Sequence, residues 1–180
     1  LKMFLEKNRD RIEKDFEDFS RELPGKAEEI DKIMRIYEQA RAFMRKNGNA
    51  TQWDKGYPSR ELILKEIEQG CQYVCEEEEA IVAVFSLCGG PDPTYEKIWD
   101  GQWLNQSPYH VLHRLASSGE RKGAGMFCLQ WSIEQSEEIR VDTHEANLPM
   151  QRLLEKNGFV ECGKIQVADG TERIAFQLKK

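Results

Sequence analysis

"SSGERKGAGMF", spanning Ser117 to Phe127, sets two hydroxyls, two cations and three glycines directly before an apolar run. Before it, "YHVLHRLAS" carries Val111, Leu112 and Leu115 in the manner of a buried strand. After it, Met126, Leu129 and Ile133 recur at helical spacing, with Phe127 and Trp131 beside them. The stretch therefore reads as a strand feeding a helix through glycines. Backbone N–H groups without partners converge at such a helix start, where the dipole favours a phosphate or carboxylate. Arg121 and Lys122 add positive charge, and a β-branched side chain at Gly123 or Gly125 would obstruct an anion. The same glycines would also suit a plain flexible turn.

Working outward, Ile30, Ile33, Met34, Tyr37, Arg41 and Met44 follow the course of an amphipathic helix that Asn47-Gly48 stops. Phe19, Arg21 and Leu23 alternate like a short strand before Pro24-Gly25, and Leu5, Ile12, Phe16 and Phe19 hint at a helix before that. A loop holding Trp53 and Tyr57 precedes a shorter helix from about Ser59 to Gln69. "CQYVCEE" and "AIVAVFSLC" flank an acidic turn and read as an antiparallel hairpin. Gly89 to Pro108 has no regular period and reads as a long, functional loop. Further on come a strand at "EIRVDTH", a helix at "NLPMQRLLEKNG", and a closing hairpin that turns at Asp169-Gly170. There are no internal repeats.

The chain has 180 residues, enough for one α/β domain, with residues 1–16 expected as a helical extension and 17–180 as the domain. Acids outnumber bases, 32 to 26, which argues against broad binding to nucleic acid while leaving room for one basic pocket. No apolar run is long enough to span a membrane, so a cytoplasmic protein is expected. The five cysteines show no CxxC spacing, so neither a disulfide framework nor a metal site is signalled, and Cys71 and Cys75 read as small buried hydrophobes on one strand face.

Two common phosphate loops fail. No lysine followed by Ser or Thr opens the helix as a Walker loop requires, and Cys128 takes the place of the third glycine of a dinucleotide fingerprint. What remains is a Q/R-x-x-G-x-G/A pattern, present as "ERKGAG" from Glu120 to Gly125. With Asn147 opening the next helix and Lys156-Asn157-Gly158-Phe159 closing it, the chain resembles the GNAT family of acetyl-CoA-dependent N-acetyltransferases from about Phe19 onward.

That resemblance implies an α/β (α+β) fold: a mixed, mainly antiparallel sheet of six to seven strands, flanked by helices, with the fourth and fifth strands splayed. It implies acetyl-CoA as acetyl donor, its pyrophosphate met by the backbone of Arg121, Lys122, Gly123, Ala124, Gly125 and Met126. Leu115 and Ser117 would hold the pantetheine arm, with Asn147, Met150 and Lys156 on the opposite side. Direct attack by a primary amine, of a small molecule or a peptide N-terminus, would then need a base, an oxyanion site and a proton for the thiolate. Tyr109, His113 and His144, with Glu145, are the titratable candidates, and His113 would share a strand face with Tyr109 and Ser117. The acceptor would be held by Trp53, Tyr57, Tyr95 and Trp103, with Asp92 and Trp99 in the same segment.

Two positions depart from the family pattern. Glu120 stands where Gln or Arg is usual, so it is expected to turn outward and pair with Arg121 or Lys122, and Leu154 stands where many members carry a thiolate-protonating tyrosine. These departures favour a rival reading, a non-catalytic acetyl-CoA sensor. A structural or interaction role through the N-terminal helix, including a homodimer, is the third reading.

Overall fold

The computed structural model describes residues 21–54 and 56–179. The expected helix over Leu5, Ile12, Phe16 and Phe19, and the boundary near residue 16, lie outside them. Among the described residues the order is β1 (Arg21–Pro24), α1 (Ile30–Lys46), α2 (Arg60–Glu68), β2 (Gln72–Glu77), β3 (Ala80–Gly89), β4 (His110–Ser117), α3 (Ala124–Glu134), β5 (Glu138–Thr143), α4 (Leu148–Lys156), β6 (Val160–Gln166) and β7 (Glu172–Lys179).

Local chemistry accounts for the boundaries. Helix α1 buries Ile30, Ile33, Ile36, Tyr37, Arg41 and Met44 on one stripe and stops where Gly48 takes a φ of 82°. Ser59 Oγ caps α2 by accepting from Leu62 N at 3.2 Å, and Asn147 Oδ1 caps α4 by accepting from Met150 N at 3.3 Å. The Lys156-Asn157-Gly158-Phe159 phrase ends α4: Gly158 adopts a φ of 83°, and Phe159 N donates to Leu154 O at 3.1 Å.

The seven strands form one sheet in the order β1-β2-β3-β4-β5-β7-β6. Every neighbouring pair is antiparallel except β4 with β5, whose parallel pairing covers only His110 with Ile139 and Val111 with Arg140. One face packs Phe85, Leu87 and Leu112 against Leu129 and Ile133 of α3 and Leu154 of α4. The opposite face packs Val74, Val84 and Ala116 against α1 and Ile63 of α2.

The segment between β3 and β4, expected as a long, functional loop, covers the rest of that second face. Tyr95 and Trp103 stack at 5.6 Å and bury against Val111, Ile165 and Ala175. Trp99 exchanges two backbone hydrogen bonds with Lys164, at 3.0 and 2.9 Å. Such close approach needs glycine, because a Cβ on Gly101 would sit 2.1 Å from Cys162 O. Tyr95 and Trp103 are therefore corrected from acceptor contacts to core, with exposures of 1% and 6%. The aromatic character of the loop reflects apolar surface that the sheet had to lose from water.

Because Leu129 is fully buried between α3 and the sheet, Leu129→Ala should destabilise the protein by about 3 kcal/mol through lost transfer energy plus a cavity. Urea unfolding of the two proteins measures this, and a difference below about 1 kcal/mol would mean that α3 is not packed as described.

Candidate functional site

Where β4 and β5 part, a cleft of ≈ 1640 Å³ opens between the glycine loop, the two strands, α4 and the loop around Trp53. The parting is built into β4. Between the pairs Ser86–His113 and Val84–Ala116, β3 contributes only Phe85, whereas β4 contributes both Arg114 and Leu115. This bulge places Arg114 at a φ of 54°, a left-handed conformation that costs a non-glycine residue energy. It also reverses the side-chain alternation, so Ser117 does not share a face with His113, contrary to the sequence reading.

A buried ion pair holds the bulge. Arg114 binds the carboxylate of Glu66 from α2, both side chains being 8% exposed, and donates to Tyr57 Oη at 3.0 Å. Ser86 Oγ lies 2.6 Å from the other Glu66 oxygen. Sequence reasoning missed Arg114 and Glu66: the partners are 48 residues apart, and neither sits in a motif.

At the other end, the start of α3 is open. Its N-cap Gly123 has a φ of 93° and can supply no side-chain cap, and the first intrahelical bond runs from Phe127 N to Gly123 O at 2.9 Å. The N–H groups of Ala124, Gly125 and Met126 consequently lack intrahelical partners. A Cβ on Gly125 would meet nothing within 4 Å, and its φ is not positive, so neither packing nor strain accounts for glycine there. Open space over unpaired N–H groups fits a phosphate-bearing group. Gly123 differs, since its left-handed φ disfavours any side chain.

The remaining expected cofactor contacts divide. Leu115, Ser117, Arg121, Lys122, Gly123, Gly125, Asn147 and Met150 line the cleft. Ala124 and Met126 do not: Ala124 is 1% exposed in the core, and Met126 Sδ accepts from Asn157 Nδ2 at 3.3 Å. Lys156 is exposed on the last turn of α4 and is not among the lining residues. Arg121 pairs with Glu77 at 2.8 Å rather than with Glu120, which is exposed and lies outside the cleft. The cleft-facing residues of α4 are Pro149, Met150 and Leu153, none of which donates a proton, while Leu154 is fully buried.

Of the titratable candidates, His113 alone lines the cleft. Its Nε2 lies 3.1 Å from Asp92 Oδ2. Burial raises the Asp92 carboxyl, but hydrogen bonds from His113 and Thr94 outweigh it and hold the group at about 2. Tyr109 lies outside the lining; its Oη accepts from Asp92 N at 3.2 Å, and its ring sits 3.8 Å from the Arg140 guanidinium. His144 has both ring nitrogens engaged, Nδ1 accepting from Ala146 N at 3.0 Å and Nε2 lying 3.4 Å from Thr51 Oγ1. Burial first, and Arg173 second, lower its pKa below the usual imidazole value. Trp53 and Tyr57 line the cleft, Trp53 edge-on to Tyr37 at 5.7 Å.

The depressed Asp92 pKa carries a stability signature. Its contacts stabilise the fold fully above the unfolded value of 3.8 and are lost as pH falls through about 2. Asp92→Asn should therefore cost about 1 kcal/mol at pH ~7, and the gap from wild type should narrow at pH ~3. Thermal melts at both pH values check this, and an unchanged gap would contradict the Asp92–His113 contact.

No family profile and no curated protein matches the chain. Solved structures do. A GNAT-family acetyltransferase from Streptococcus agalactiae is 34% identical, with 90% of this chain and 97% of that one covered and a TM-score of 0.82. A Staphylococcus aureus protein assigned as an acetyltransferase is 25% identical, with 89% and 99% covered and a TM-score of 0.67. A GNAT-family acetyltransferase from Listeria monocytogenes, 18% identical over 89% of this chain and 94% of that one, shares the fold at a TM-score of 0.66. With its parted β4 and β5, its open α3 start and a 34% identical relative matched over nearly its whole length, the chain belongs to the GNAT acetyltransferase family.

Proposed function

We propose that the protein is an N-acetyltransferase that moves the acetyl group of acetyl-CoA to a primary amine of a small molecule or a peptide N-terminus. The observation that carries the reading is the uncapped α3 start beneath the open space at Gly125, at one end of a cleft whose other end presents His113 and Asp92. Acetyl-CoA, when bound, supplies an activated thioester. The N–H groups of Gly125 and its neighbours, with Lys122 and Arg121, hold its pyrophosphate. Release of Arg121 from Glu77 makes that cation available. Beyond Val111, the β5-facing edge of β4 has no strand partner, and its backbone N–H groups bind the pantetheine arm and the developing oxyanion.

His113 is the base. Asp92 accepts from Nε2–H, which leaves Nδ1 with the lone pair for the proton of the incoming amine. Trp53 and Tyr57 border the acceptor. Since no residue of α4 facing the cleft donates a proton, solvent protonates the departing thiolate, a fairly good leaving group. That same lack favours one second reading, an acetyl-CoA-binding sensor without turnover.

Calorimetric titration with acetyl-CoA on wild type and Gly125→Val tests the binding half. Binding by the wild type, and a loss of at least about tenfold in the variant, is expected, because Val fills the anion's space without backbone strain. Equal affinity would overturn the site. His113→Ala should leave acetyl-CoA affinity unchanged and lower kcat by about 10²-fold or more in a thiol-release assay over an amine panel. Binding with no turnover on any amine would select the sensor reading.

A further inference from the structure

Sequence spacing gives no sign of paired cysteines, yet the fold brings two of the five together, Cys88 on the wall of the cleft and Cys71 buried behind it. Cys71 Sγ and Cys88 Sγ are 2.8 Å apart. Cys71 immediately precedes β2 and Cys88 lies near the end of β3, and their backbones are fixed side by side: Leu87 N donates to Cys71 O at 2.8 Å, and Gln72 pairs with Ser86. A disulfide bond of about 2.05 Å thus needs a sulfur displacement of less than about 1 Å. Cys75, Cys128 and Cys162 are shut in the core, whereas Cys88 is half-buried and lines the cleft.

We propose that Cys71 and Cys88 form a reversible disulfide at the rim of the cleft, by exchange with a small-molecule disulfide. Cys88, reached from the cleft, attacks one sulfur of that disulfide and releases the first small thiol. Cys71 then attacks Cys88 Sγ and releases the second. The two protein thiols are oxidised, the small disulfide is reduced, and each departing thiolate takes up the proton that its attacking thiol gave up. The hydrogen bond that Cys88 donates lowers the Cys71 thiol and, with burial, raises the Cys88 thiol, so Cys88 attacks only as it passes that proton across the 2.8 Å contact to Cys71 Sγ.

The competing use of the cluster is a cation site, because Glu66, Cys71 and Cys88 place ligand atoms within 4.8 Å of one another. The Glu66 carboxylate is already engaged by Arg114 and Ser86, however, and the Arg114 guanidinium repels a metal ion. The disulfide is the better fit. It depends only on the placement of β2, β3 and α2, and not on which reaction the cleft performs.

The test incubates the native chain with glutathione disulfide, then blocks free thiols and maps peptides. A Cys71–Cys88 linked peptide, loss of two of the five titratable thiols, and a thermal midpoint raised by about 5 °C and restored by dithiothreitol are expected. In Cys71→Ser, glutathione should instead stay attached to Cys88; should that variant not fold, the wild-type peptide map decides alone. Absence of the linked peptide, or a glutathione adduct persisting on wild-type Cys88, overturns the proposal. Stoichiometric zinc binding in that event reassigns the pair as metal ligands.

Discussion

The buried pair of Arg114 with Glu66 is the contact on which the cleft depends. Arg114 occupies a left-handed backbone conformation that by itself disfavours folding by about 1–3 kcal/mol, and it sits at the bulge that turns β4 away from β5. A charge taken from water at 8% exposure is tolerable only with a partner, and α2 delivers that partner from another part of the chain. Removing either member would leave the other charge buried and unpaired, so the bulge, the orientation of α2 and the position of Tyr57 are coupled. The β4 backbone beyond Val111 faces the cleft for this reason, instead of completing a ladder with β5.

Around that constraint the cleft has two chemically distinct ends. The start of α3 is built by omission: an N-cap without a side chain and a glycine with nothing above it leave donors and space together. The other end is built by commitment, since His113 is held by Asp92, and Asp92 in turn by Thr94 and Tyr109. Rigid support of this kind comes from the segment between β3 and β4, which is fastened to the sheet by the Tyr95–Trp103 stack and the Trp99–Lys164 bridge. Tyr95 and Trp103, which look in sequence like ligand contacts, serve the site indirectly by fixing the segment that carries Asp92.

The fold was largely legible because its elements are strongly periodic and punctuated. Ile30 to Met44 keeps a helical stripe, the two apolar runs around Glu77 to Glu79 keep a hairpin, and Gly158 and Gly170 mark stops that the backbone uses with φ values of 83° and 84°. The glycine loop was legible for the same local reason. The site's side chains were less so. Tyr109, His113 and His144 look alike as titratable residues near a strand end, and only their partners separate them: a carboxylate for His113, a guanidinium face for Tyr109, and two occupied nitrogens for His144.

By itself, then, the sequence determined what depends on neighbours along the chain: helix stripes, caps, turns, and the glycine start of α3 that carries no side-chain cap. Tertiary structure decided what depends on residues far apart. It flipped Ser117 to the face opposite His113 by inserting one residue into β4, sent Tyr95 and Trp103 into the core, paired Arg114 with Glu66, and set Cys71 against Cys88. The physical reason is that a bulge, a buried charge and a thiol contact each draw their energy from a partner that sequence spacing does not specify. Packing of the sheet faces selects that partner only when the whole domain closes.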